Sequence, residues 1–177
     1  MPNVVNFVLR GFQILFAAVI LGLSVSLVKG QWEDTKPPIT LQYAAFVGGI
    51  TLVAAVVGLA SEWVTVLQGK IGFIIDGATT VVNLAGGVLL GIMIGGVSCG
   101  DTSAENRVKL LENDLFNGGC RKADDGTTYC YNEFSARWKY LNSRCRECTA
   151  DSVFMFLTFG ILVTSTAMAY RHAKNPY

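Results

Sequence analysis

The chain has one histidine, His172, and only 15% of its 177 residues carry charge. Without imidazole elsewhere, no Ser-His-Asp set can be assembled, and no paired carboxylates stand at catalytic spacing, so an enzyme is not expected. So little charge cannot cover a water-facing surface of ordinary composition. A net charge of +1 gives no basic face for nucleic acid. No Asn-x-Ser/Thr sequon is present, and the Cys-Cys-Gly triplet of a tetraspanin-like receptor scaffold is missing. A small transporter or channel would need polar midplane residues or broken helices. Asn83, Ser24 and Ser26 are thin support for one.

What fills the chain is apolar sequence, 51% of it, gathered into four stretches at about 4–28, 41–60, 71–97 and 153–170. At about 1.5 Å per helical residue each can cross a hydrocarbon core of roughly 30 Å, the last only just. The expected fold is an all-α integral membrane protein. It is a single four-transmembrane-helix domain over 1–177, with a disulfide-stapled extracytoplasmic loop, 98–150, between helices 3 and 4. Ser24-Val25-Ser26 resembles a signal-peptidase site, but the apolar run before it is too long for a signal peptide, so an uncleaved first span is expected. Pro37-Pro38 cannot propagate a helix and should set the start of span two. Ser61–Lys70, with Trp63, reads as an interfacial turn.

Arg10 in span one and Asp76 in span three lie at matching depth from one membrane face. A charge there needs a partner, and a carboxylate can accept the guanidinium fork, so a structural ion pair is expected rather than a proton relay. Gly87, Gly91 and Gly95 recur every four residues on one face of span three, a doubled small-xxx-small pattern for close helix packing within the chain, between protomers or against a lipid. Asn83, near the Asp76 face, suits an interhelical hydrogen bond.

All five cysteines lie between 99 and 148. Thr102-Ser103-Ala104-Glu105 has capping-box spacing, and Val108, Leu111 and Leu115 follow on one helical face until Gly118-Gly119. With Asp124-Asp125-Gly126 as a three-residue hairpin loop, Cys120 falls opposite Cys130. A further helix is expected from an Asn132 cap through Phe134, Trp138 and Leu141. Cys99 then pairs with Cys145 or with Cys148; spacing alone does not choose. Zinc or redox use of Cys145-x-x-Cys148 is disfavoured by the absence of histidine and of a second Cys pair in the loop. Most of the 14 Lys and Arg lie in the first and third connections, which by the positive-inside rule would place the loop in the cytoplasm. The cysteine density argues for an oxidising compartment instead, and the expected topology has cytoplasmic termini.

Leu9-Arg10, Leu15-Phe16, Gly22-Leu23 and Ser26-Leu27 resemble the first span of fungal MARVEL-domain tetraspan proteins, most closely the eisosome-associated, non-classical export type. Asp76 matches in position. So do Ser98-Cys99 and the junction Tyr140-Leu141-Asn142-Ser143-Arg144-Cys145-Arg146-Glu147 before the aromatic-rich start of span four. The longer third loop, with Cys120, Cys130 and Cys148, departs from the pattern. The tail after span four is very short, so functions that the family assigns to a cytoplasmic tail are not carried over. The resemblance implies a non-enzymatic organiser of plasma-membrane domains that binds sterol- and sphingolipid-rich lipid, self-associates and works beside eisosome-type scaffold proteins. It implies no cofactor beyond a bound lipid or sterol. The residues it singles out are Arg10 with Asp76, the Gly87–Gly95 face, and a Cys99–Cys145 staple that leaves Cys148 unpaired.

Overall fold

The computed structural model describes residues 4–61, 70–133 and 138–174. In chain order the elements are α1 (Val4–Lys29), α2 (Ile39–Ala60), α3 (Lys70–Ile94), α4 (Ala104–Glu112), β1 (Cys120–Lys122), β2 (Thr128–Cys130) and α5 (Trp138–Lys174). Four of the helices (α1, α2, α3 and α5) are long and apolar enough to cross a membrane, and the protein is a multi-pass membrane protein. The turn around Trp63 and the position of Phe134 lie outside the described residues.

The four long helices close into a ring: α1 packs on α2 and α5, and α3 packs on α5 and α2. Their polarity is inverted relative to a water-soluble bundle. The inward face of α1 is Arg10, Gln13, Ala17, Ile20, Ser24 and Leu27, at helical spacing. Phe12 and Leu15 point outward and are about half exposed. Lipid is as apolar as leucine, so sequestering leucine gains little; polar groups and small residues that let backbones meet are what the interior collects. The buried face of α2 is accordingly Thr40, Leu41, Ala44, Val47, Gly48, Thr51, Ala54, Ala55 and Gly58. A Cβ at Gly48 would sit 2.7 Å from the Leu21 backbone nitrogen, so α1 and α2 touch backbone to backbone there.

Helix limits follow local chemistry. Pro38 caps α2 with a non-helical ψ of 139°, and its carbonyl accepts from Leu41 N–H at 3.0 Å. Span three, expected to reach Val97, stops at Ile94 because Gly96 takes the left-handed conformation (φ +91°). The largest departure is at span four. The helix begins at Trp138, fifteen residues before the apolar run at Val153, and runs 37 residues without a break. Residues 138–150 therefore belong to α5 and not to an independent loop helix. Asn132, expected as its cap, instead donates to the Phe116 carbonyl at 2.8 Å.

Ser103, not Thr102, caps α4, accepting from Asn106 N–H at 3.3 Å. The buried face is Asn106, Leu110, Leu115 and Phe116; Val108 is exposed. Those leucines and Phe116 close the loop end of the bundle with Leu27, Leu41, Leu141 and Cys145. The hairpin has the expected register, Cys120 opposite Cys130, with Ala123 N–H bonded to Thr127 O at 2.8 Å and Gly126 at φ +83°.

Gly48→Ala should therefore force α1 and α2 apart and cost about 1–3 kcal/mol. Gly49→Ala, with open space at its Cβ position, should be neutral or gain up to about 1 kcal/mol. Thermal unfolding of the two variants in the same detergent separates them. Equal losses would contradict the backbone contact.

Candidate functional site

Arg10 crosses the ring. From α1 it reaches diagonally to α3, where Nη1 donates to Asp76 Oδ1 at 2.8 Å and Nη2 to Oδ2 at 2.5 Å. Nη1 also donates to Gln13 Oε1 at 2.8 Å, and both charged residues are 6% exposed. The guanidinium passes over α2 at Gly58, where a Cβ would meet Arg10 Cζ at 2.5 Å. One fork thus joins three helices, and a glycine makes the passage.

Two further polar layers lie toward the loop end. Asn83 on α3 donates to Thr51 Oγ1 on α2 at 2.7 Å. Ser24 on α1 donates to Asp151 Oδ2 on α5 at 2.6 Å, and Asp151 Oδ1 is buried without a partner among the described residues. Sequence reading credited the bundle with one buried acid; Asp151 is a second. It sat unnoticed because it falls just before the hydropathy onset at Val153 and looks like part of the loop. An apolar layer separates these two pairs. Ile20, Val47 and Met155, all 0% exposed, close around Gly48 and Gly86. Among the described residues no side-chain hydrogen bond links Asn83 to Asp151, and each polar pair ties one helix to another.

The glycine face of α3 is divided. Gly86 and Gly87 are buried against α5: a Cβ would meet Met155 Sδ at 2.8 Å and the Phe156 ring at 3.2 Å respectively. Ser152 Oγ donates to the Gly87 carbonyl at 2.9 Å. Gly91 is exposed, and Gly95, expected on the same helix face, lies with Gly96 beyond the helix end at Ile94, so the expected single groove is an internal contact at Gly87 followed by an open edge at Gly91.

At the loop end, disulfides join Cys99 to Cys145 and Cys120 to Cys130, with Cα separations of 5.3 and 4.0 Å; Cys148 is a buried free thiol. Arg144, beside the first staple, donates through Nη2 to the carbonyls of Leu27 and Leu115, both at 3.1 Å. It satisfies carbonyls at the C-terminus of α1 and fixes the segment after α4 in one contact. The first connection docks on the hairpin: Trp32 N–H donates to Gly118 O at 2.8 Å, Asp34 pairs with Arg121, and the Arg121 guanidinium lies 4.6 Å from the Trp32 ring centre. Ser103 N–H holds the exposed Asp101 carboxyl below its ordinary pKa and so helps keep that turn charged.

Four spanning helices, an intramembrane lock and a stapled loop between the last two spans frame the comparison with known families. A model described as a membrane-associating domain, MARVEL, matches residues 3–168. The chain belongs to the MARVEL family. No curated protein and no solved structure matches it. The MARVEL match covers Arg10, Asp76, Asn83, the α3 glycines and all five cysteines. Gln13, Gly48, Thr51, Gly58 and Asp151 complete these contacts and were not singled out from sequence, while Arg144 was named only as part of the junction that carries the resemblance. Asp151, a charge within one turn of an apolar run, carried the readable signal.

Removing one member of the buried pair strands the other, so Asp76→Ala should cost about 3–5 kcal/mol. The double change with Arg10→Leu should cost less than Asp76→Ala alone; additive losses in thermal unfolding would show the groups uncoupled. The staples should rank by loop length. Replacing Cys99 and Cys145 by Ser should cost about 4 kcal/mol and replacing Cys120 and Cys130 about 3 kcal/mol in the chain-entropy account. The reverse ranking by denaturation would contradict it.

Proposed function

We propose that this MARVEL protein is a non-enzymatic organiser of plasma-membrane domains, self-associating, bound to sterol- and sphingolipid-rich lipid, and able to shape curvature. The observation that carries the reading is the use of the buried polar groups. Arg10–Asp76, Asn83–Thr51 and Ser24–Asp151 each tie one helix to another, with Ile20, Val47 and Met155 closing the space between layers. A bundle locked in this way keeps its shape and offers its outer surface as the working surface. The resemblance to the eisosome-associated type supports fungal membrane furrows as the setting and eisosome-type scaffold proteins as partners. Two disulfides support an extracellular loop and cytoplasmic termini, against the count of Lys and Arg.

Self-association has two surfaces to use: the exposed α3 face at Gly91 in the membrane and the rigid loop outside it. Two contacts per protomer not related by a closing symmetry build open arrays. Cross-linking at native expression should give dimers and higher species, and Gly91→Leu should reduce them without unfolding the chain, because no neighbour comes closer than 3.8 Å to a Cβ there. A strictly monomeric protein that conducts solute into liposomes would replace this reading with a transporter.

A further inference from the structure

Lys139, Ser143 and Arg146 recur at i, i+4 and i+7 on α5 and therefore share one face. With Thr102, Tyr140 and Asn142 they line an open crevice of about 470 Å³. Among the described residues two cations line it and no carboxylate does. Neither cation is in a salt bridge among the described residues; Lys139 Nζ lies 5.5 Å from the Tyr140 ring centre. Two acids border it, one bonded to a lining hydroxyl and one held by its own turn. Glu147 accepts from Ser143 Oγ at 3.3 Å and faces the neighbouring crevice with Arg144, and the Asp101 carboxylate is held by Ser103. The crevice is rigid, because Asn142 Nδ2 donates to the Cys99 and Asp101 carbonyls at 3.0 Å and Cys145 is stapled to Cys99.

The same helical phase continues into the membrane as Ala150, Val153, Leu157 and Gly160. Val153 is 50% and Leu157 47% exposed, and nothing lies within 4 Å of a Cβ at Gly160. Arg146 stands seven residues before Val153, about 10 Å along the helix, which is headgroup height above an apolar strip. One face of one helix thus offers Arg146 at about the depth of phosphates, Lys139 about 10 Å further out with a side chain long enough to reach down toward it, and a smooth apolar track beneath.

We propose that this face binds a phospholipid of net negative charge in the leaflet on the loop side, its phosphate at Lys139 and Arg146 and one acyl chain along Val153, Leu157 and Gly160. A sterol hydroxyl uses neither charge. A zwitterionic headgroup brings its own cation against two others. A free phosphate leaves the apolar track unused. The inference rests on the lipid-organising reading above and names the lipid class for it.

The test uses the full chain in mixed-lipid nanodiscs, with native mass spectrometry of the lipid it retains. Phosphatidylglycerol should be retained over phosphatidylcholine, less so at high salt. The Lys139→Gln, Arg146→Gln double variant should lose about thirtyfold of that preference, some fivefold per cation. Both side chains are exposed, so the variant keeps its fold. Equal retention by wild type and variant, or no preference for the anionic lipid, overturns the site. Displacement of the lipid by inorganic phosphate in excess overturns the lipid assignment in favour of a free anion. Cross-linking of the same wild-type sample reads the organiser proposal separately: a monomer that still selects anionic lipid overturns that proposal and not this one.

Discussion

The structure depends on one ion pair across the diagonal of its helix ring. The neighbouring pairs around that ring are held by close packing, which in lipid lacks the drive that water supplies to a soluble core. α1 and α3 sit opposite one another, and Arg10–Asp76 is what reaches between them. A charge left alone at that depth costs several kcal/mol, so each partner enforces the position of the other. Gly58 on α2 is part of the same interaction, since any side chain there would occupy the guanidinium.

From this lock the rest of the bundle follows in layers. Asn83–Thr51 repeats the device between α3 and α2, and Ser24–Asp151 repeats it between α1 and α5. The loop end adds a different kind of tie. Arg144 satisfies carbonyls from two segments far apart in sequence, while the Cys99–Cys145 bridge pins the exit of α3 to the entry of α5. Except for Asn83–Thr51, between consecutive helices, each of these contacts joins elements far apart in the chain.

Much of this was legible in the sequence. Apolar runs give the spans because lipid imposes helices of a minimum length, and Arg10 and Asp76 stand out because charge is so rare in such runs. The hairpin was readable since Asp124-Asp125-Gly126 fixes both turn and register. The reach of α5 was not: Trp138 to Ser152 is too polar to register as span, although it is continuous helix. Gly48 and Gly58 look like any other small residue in α2; only their contact with α1, at Leu21 and Arg10, distinguishes them from Gly49. The glycine spacing on α3 announced a face but could not show that Gly87 meets Phe156 while Gly91 meets little.

The 37 residues of α5 measure about 56 Å, against roughly 30 Å of hydrocarbon. The surplus stands outside the lipid as the same rod, with the stapled loop fastened to it through Cys145 and Asn142. Such a rod is a lever with its fulcrum at the headgroups. Where the bilayer thins or thickens and the span tilts by about 5° to match, the outer end swings by roughly 2 Å. A change in local membrane thickness would thereby shift the stance of the exposed loop.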